Sequence, residues 1–327
     1  MNINIPQLKY LFIIVFSGFA AVAFAQQPVQ YSMYYFNPYP VMPAAVGMDN
    51  SLQATAVFRK QWLGLEGSPT SFNLNAHLPW QYAHGGVGVK ISTDAQGAEQ
   101  NTFATANYAY HVNTSETSKL SFGLGLGMMQ KKIRGSVLRP ANQDVADAYI
   151  PQGDQTVTAP VIESGIYYKN KNLKIGAAVI QYSFSNLRYK NTQPVAQDIN
   201  INLWQNYYLT AAYNIPITDN ISIEPSLLVK ADKAQLQTDA SAVVHINKSV
   251  FVAVAARGYN STSIDAASVA AGTQITPQLS VAYNYDIGIS NLKPAHNGSH
   301  EVILYYNLGK TIGGAKKQKI IYNTRFW

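Results

Sequence analysis

Phe72-Asn73-Leu74-Asn75-Ala76-His77-Leu78 alternates apolar and polar side chains at every step. A period of two is the mark of a β-strand with one apolar and one polar face. The pattern recurs along the chain. Val87, Val89 and Ile91 alternate with Gly88, Lys90 and Ser92, and Leu236 to Val244 alternates with Gln237, Asp239, Ser241 and His245. Leu279 to Tyr285 and Val302 to Leu308 do the same. No window of similar length carries a helical stripe.

This reading gives strands near 52–60, 70–78, 85–93, 100–111, 119–131, 159–169, 173–181, 202–214, 221–230, 235–246, 249–259, 266–275, 278–285 and 299–308. Many are close to the ~9–11 residues that a tilted membrane strand needs. The connections after even-numbered strands are short and rich in Pro, Asn or Ser. Those after odd-numbered strands include the long 132–158, 182–201 and 286–297. Short turns on the side of the chain ends and long loops opposite are the pattern of an outer-membrane barrel. The fold expected is therefore all-β: a transmembrane antiparallel β-barrel of about fourteen strands. A soluble sandwich, the alternative, does not sort its loops in this way.

Composition agrees. Charged residues make up 13% of the 327 residues, against about 25% in ordinary globular proteins. There are 22 Tyr, and mean hydropathy is near zero, as expected when outward apolar and inward polar positions average out. Tyr108, Tyr110, Tyr168, Tyr208, Tyr213, Tyr283 and Tyr285 fall near strand ends, where an aromatic girdle meets the headgroups. With no Cys, disulfides, thiolate metal sites and thiol nucleophiles are excluded. The net charge of +7 is modest; it is compatible with an anionic neighbour such as lipopolysaccharide or another protein, but scattered Lys is more often plain solvation. No basic–aromatic cluster points to nucleic acid.

Four segments follow. Residues 1–25 read as a signal peptide: Lys9, the apolar run Tyr10–Phe16, and Ala23-Phe24-Ala25 as the cleavage pattern. Residues 51–308 are the barrel and 309–327 a tail on the periplasmic side. Between signal and barrel, 26–50 is dense in Pro and aromatics. Prolines at 38, 40 and 43 exclude a helix or a central strand. The aromatics argue against a free tail. The segment is expected to pack extended into the periplasmic mouth or the lumen, as a plug or a handle for partners. Tyr31, Tyr34, Tyr35, Phe36, Asn37, Pro38, Pro43 and Gly47 are its candidate contacts. Inward Gly and Ala, among them Gly123, Gly125, Gly176, Ala178, Ala253 and Ala270, leave room for it. Arg59 and Trp62 sit where the first strand meets a Gly-rich loop, Gly64 to Gly67, a place that equally suits a girdle Trp and a solvated Arg.

No catalytic, cofactor or metal site is expected. Gly123-x-Gly125-x-Gly127 lacks the following helix that a phosphate loop requires. The six His show no zinc-enzyme spacing, and no Gly-x-Ser-x-Gly elbow occurs. Asp94, Glu99, Asp144, Asp147 and Asp154 follow no calcium-loop pattern.

Gln30-Tyr31-Ser32 through Phe36-Asn37-Pro38, then Pro43-Ala44-Ala45-Val46-Gly47, resemble the N-terminal signature of the PorP/SprF family of type IX secretion membrane proteins. Arg59-Lys60-Gln61-Trp62, Gly64, Gly67-Ser68-Pro69, Gly85-Gly86-Val87-Gly88, Tyr285-Asp286 and Asn297-Gly298-Ser299-His300-Glu301-Val302 extend the resemblance over nearly the whole mature chain. Met42-Pro43-Ala44-Ala45 and Thr324 depart from the usual pattern, which bears on the sub-branch. The resemblance implies a non-enzymatic outer-membrane component of the secretion and gliding apparatus of Bacteroidota. It also implies that Arg59 and Trp62 make a fixed structural contact, with Arg59 turned into the lumen toward an acid such as Glu99 or Glu301. The partners it implies are a periplasmic lipoprotein ring and its peptidoglycan-binding partner, or a large secreted adhesin recognised through its C-terminal domain. A channel of fatty-acid-channel type is the alternative function.

Overall fold

The computed structural model describes residues 29–138, 153–182, 187–189, 199–201, 203–233, 235–247, 249–259, 263–291 and 293–312. The expected signal peptide and most of the expected C-terminal tail lie outside these residues.

Fourteen strands run up and down in chain order: β1 (Gln53–Lys60), β2 (Thr70–Trp80), β3 (Gly85–Gln96), β4 (Glu99–Asn113), β5 (Lys119–Arg134), β6 (Asp154–Lys169), β7 (Leu173–Tyr182), β8 (Asn206–Tyr213), β9 (Ile221–Ala231), β10 (Leu236–Ile246), β11 (Val250–Tyr259), β12 (Ser263–Gln274), β13 (Leu279–Gly288) and β14 (Ser299–Asn307). Each pairs antiparallel with its neighbours, and β1 pairs with β14 from Gln53↔Asn307 to Lys60↔His300. The sheet is therefore a closed barrel with no free edge, the condition for spanning lipid with strands. A short extra strand, Ile215–Pro216, adds to β9.

The alternation sorts the faces. Phe72, Leu74, Val89, Ile91, Leu124, Leu126, Leu209, Val254 and Leu304 point outward and are exposed, while Asn73, Asn75, His77, Asn107, Ser241 and Asn284 are buried inside. An apolar belt outside and a polar interior is the transmembrane arrangement. Among the described residues no helix is long and apolar enough to cross a membrane.

Gln53↔Asn307 brings both ends of the barrel sequence to one rim, which also carries the short turns. The long connections lie at the other rim. Two of these are shorter than expected, because β5 continues to Arg134, β6 begins at Asp154 and β13 continues to Gly288. Leu187–Tyr189 pairs with Ile199–Ile201, Leu187 is buried against Phe103, Met129, Ala159 and Val161, and the buried Tyr189 donates its hydroxyl to Lys131 O at 3.2 Å. This hairpin therefore folds back onto the inner wall at the long-loop mouth.

One girdle assignment is corrected. Tyr208 is buried inside the barrel, and Tyr207 is the outward residue of β8. The partner-facing parity of β8 follows from its register with β7, Tyr208↔Ala178, and the intervening loop hides that register from the sequence.

Candidate functional site: the segment inside the lumen

A barrel of eight strands is filled by its own side chains, and one of sixteen leaves an aqueous channel. Fourteen strands leave space that wall side chains alone do not fill. Here that space holds residues 29–50. Prolines and turns shape the segment. Phe36 N–H donates to Met33 O, Val41 N–H to Pro38 O and Ala45 N–H to Met42 O, and Pro43 opens a single 3-10 turn, Pro43–Ala45.

The segment is held at three levels. At the long-loop end lies a charged anchor. Arg59 Nη2 meets Asp286 Oδ2 at 2.6 Å, and Nη1 meets Glu301 Oε2 at 3.2 Å. Glu301 also accepts two successive backbone N–H groups of the segment, Ser32 at 2.8 Å and Met33 at 3.0 Å. The Ser32 hydroxyl donates to Asp286 at 2.9 Å and accepts from Arg59 at 2.8 Å and Arg257 at 3.0 Å. Arg257 pairs with Asp239 at 3.2 Å, and Gln30 bridges Asp239 and Lys230 at 3.1 and 2.9 Å. Arg59, Arg257 and Lys230 thus oppose Asp239, Asp286 and Glu301, and the formal charge cancels. Buried ions need this pairing: Arg59 is 1% exposed and Glu301 0%. Among these donors, Arg59 Nε has no acceptor.

The middle level is apolar and aromatic. Met33 packs against Val57, Val243, Phe251, Ala253, Ala270, Ala282 and Ile303. Met42 and Ala44 join a cluster with Tyr167, Ala178, Ile180, Tyr208 and Leu228. Tyr35 and Phe36 lie against Phe251, with ring centroids at 6.4 and 5.2 Å, and Phe36 meets Tyr305 at 5.3 Å. The Tyr34 hydroxyl donates to Asp239 O at 3.0 Å. Tyr31 is half-buried against both clusters. Asn37 turns the chain, accepting from Tyr39 N–H at 3.2 Å and donating to Asn75 at 3.3 Å.

Toward the short-turn end the wall is cut away for the segment. The Tyr39 hydroxyl donates to Asn107 at 2.9 Å, and Lys90 bridges Pro40 O and Glu163, both at 2.9 Å. A Cβ on Gly123 would fall 2.4 Å from Ala44 N, and one on Gly176 would fall 3.0 Å from Met42 Sδ. Gly47 has φ +67, and a Cβ there would fall 2.5 Å from Gly86 Cα, so both its conformation and its close approach demand glycine. Gly47 N–H donates to His77 Nδ1 at 3.2 Å, and His111 Nε2 donates to Val46 O at 2.9 Å. Asp49 then pairs with Lys169 at 2.6 Å.

The segment therefore crosses the lumen. Gln30 and Ser32 contact strands near their long-loop ends, and Gly47 to Asn50 lie at the short-turn end, where β1 begins. An interior pocket of about 130 Å³ remains beside it, lined by Tyr34, Tyr39, Tyr167, Lys174 and Glu224.

Burial shifts the titration of the segment's own groups. Removal from water raises the phenols of Tyr31, Tyr34, Tyr35 and Tyr39 above their usual range, and nearby carboxylates add to the shift, such as Glu301 beside Tyr31 and Tyr35 and Glu163 beside Tyr39. Burial also pushes Asp49 up, but the Lys169 ammonium and the Gln53 amide outweigh it and hold the carboxyl below the usual carboxylate range.

Of the acids named for Arg59, Glu301 meets it, whereas Glu99 pairs with Lys131 at 2.7 Å. Trp62 stands apart from the anchor. It has φ +51, donates its N–H to Ser299 Oγ at 3.1 Å and packs near His296 in the long-loop rim. Asp286, Arg257, Asp239 and Lys230 were not among the candidates. Their signal is a charged residue at an inward strand position, which is expensive unless paired. Among the described residues no group of His, Asp and Glu could hold a metal.

Several solved structures share the barrel fold. The CymD monoaromatic hydrocarbon channel is 9% identical, with a TM-score of 0.49 over 87% of this chain and 94% of that one. The Pseudomonas putida toluene transporter TodX is 9% identical, with 0.47 over 84% and 94%. Omp33 of Acinetobacter baumannii is 6% identical, with 0.46 over 80% and 99%. No curated protein matches the sequence. The family model for the type IX secretion system membrane protein PorP/SprF matches residues 23–306. That span contains the lumen segment, the anchor and all but the last residue of the barrel, and the chain belongs to the PorP/SprF family.

Proposed function

We propose that this chain is a non-enzymatic outer-membrane barrel of the type IX secretion and gliding machinery, closed by its own N-terminal segment, that anchors or assists the secretion and surface attachment of substrate proteins such as a large adhesin. The observation that carries this reading is the filled lumen. A segment gripped by a neutralised ion cluster, by main-chain hydrogen bonds and by a glycine-cut wall suits a fixed part of the barrel rather than a solute path. What remains for function is the outside of the molecule, its two rims and its tail.

In this reading the signal peptide is removed after Ala25. The short turns and the 309–327 tail face the periplasm, and the long loops face outward. Periplasmic partners, a lipoprotein ring and its peptidoglycan-binding partner, meet the short-turn rim. An adhesin or its C-terminal domain meets the long-loop rim, and lipopolysaccharide surrounds the upper belt. The channel alternative requires a continuous path past the segment. Purification of the tagged chain from native membranes in mild detergent tests the proposal. Recovery of secretion-system proteins or of a secreted adhesin is expected. Recovery of the barrel alone, together with solute uptake that depends on it, would favour the channel.

A further inference from the structure

Four outward side chains form one row across β2, β1, β14 and β13. The register sets Lys60 opposite Thr70 on one side and His300 on the other, and sets His300 opposite Tyr285. The next outward row toward the middle of the barrel is Phe72, Phe58, Val302 and Tyr283, all exposed and in the same register. The polar row thus stands one step beyond the apolar belt, at the long-loop rim. The acids of β13 and β14, Asp286 and Glu301, are buried inside, so no carboxylate of these strands faces Lys60 from the outer side.

The donors are set. Lys60 Nζ donates to Ser68 O at 3.0 Å and Thr70 Oγ1 at 2.9 Å, and an ammonium has a third proton. Tyr283 meets His300 Nδ1 at 2.6 Å. In the tautomer that lets the phenol donate to Nδ1, His300 Nε2 carries the proton and is the ring's free donor. The floor is rigid. Leu63 N–H donates to Gly298 O at 2.8 Å and Asn297 N–H to Leu63 O at 2.7 Å, which ties the two overlying connections together. The Tyr285 hydroxyl donates to Asn297 O at 3.1 Å.

We propose that this row binds a phosphate of a membrane glycolipid of the lipid A type, with Lys60 Nζ and His300 Nε2 donating to the phosphate and the acyl chains lying on Phe58, Phe72 and Val302. A cation and an imidazole at the edge of an apolar belt match a headgroup phosphate above its chains. The leaflet rests on the orientation given under the proposed function.

The test is native mass spectrometry of the full-length barrel in detergent, titrated separately with phosphorylated lipid A, dephosphorylated lipid A, phosphatidylglycerol and inorganic phosphate. The wild type is expected to retain phosphorylated lipid A above the other three. Lys60→Gln and His300→Phe should each weaken retention about tenfold, the loss of one charge-assisted hydrogen bond, with unchanged heat-modified gel migration to show an intact barrel. Lys132→Gln, whose amine already pairs with Asp154 at 2.8 Å, should leave retention unchanged. Equal retention of dephosphorylated lipid A, of phosphatidylglycerol or of inorganic phosphate would overturn the proposal, as would wild-type retention by both variants. Recovery of secretion partners is measured separately, so failure of the secretion reading is distinguishable from failure of this site.

Discussion

Arg59 shows how far single residues were legible. The family resemblance implied a lumen acid for it, Glu99 or Glu301, and Glu301 is its cross-strand neighbour. Asp286 was not foreseen, because it stands two strands around the ring, and alternation reports which face a residue takes but not which strands are neighbours at its height. The anchor makes a sharp prediction. Arg59→Met removes one partner and leaves Asp286 and Glu301 buried, a change that costs about 3–5 kcal/mol. Arg59→Lys should recover little, since a point charge cannot span Asp286, Glu301 and Ser32 as a planar fork does. Equilibrium urea unfolding in lipid vesicles measures both. A loss below about 1 kcal/mol for Arg59→Met, the range of an exposed pair, would mean that the cluster is not the anchor described.

At the scale of elements, all fourteen strands could be read from the period of two. Their ends could not, where irregularity intervenes: the register shifts between Ile162 and Ser164 and between Arg257 and Gly258. A bulge breaks the alternation that marks a strand. The lumen segment was legible as a proline- and aromatic-rich plug or handle with inward Gly and Ala to make room for it, but its path was not, because that depends on which residues of strands far away in sequence it meets. Its tyrosines give a pH test. The phenols of Tyr31, Tyr34, Tyr35 and Tyr39 are raised in the bound segment from a usual value of 10.0. Their contribution to holding the segment is therefore complete below pH 10.0 and is lost as pH climbs above that value toward the raised ones. In a spectrophotometric titration these four tyrosines should ionise late and together with release of the segment, and a variant lacking residues 29–47 should lack the late step. Completion of all tyrosine ionisation near the usual value, with the segment still in place, would contradict the burial described.

At the scale of the molecule, closure of β1 on β14 and passage of residues 29–50 through the lumen make one object, since the segment precedes the first strand and contacts the wall on both sides. Each aromatic it buries is worth roughly 1.5–3 kcal/mol, so the segment is a large part of what holds the interior together. Among the described residues the lumen is occupied rather than open, which supports the proposed reading of a barrel that works through its surfaces. The most direct measurement of that claim is ion conductance of the purified chain in planar bilayers, with and without residues 29–47. The intact barrel should show no stable conducting state, while the deletion variant, inserted and resistant to heat in gels, should show discrete open steps. An intact barrel that conducts as freely as the deletion variant would contradict the account.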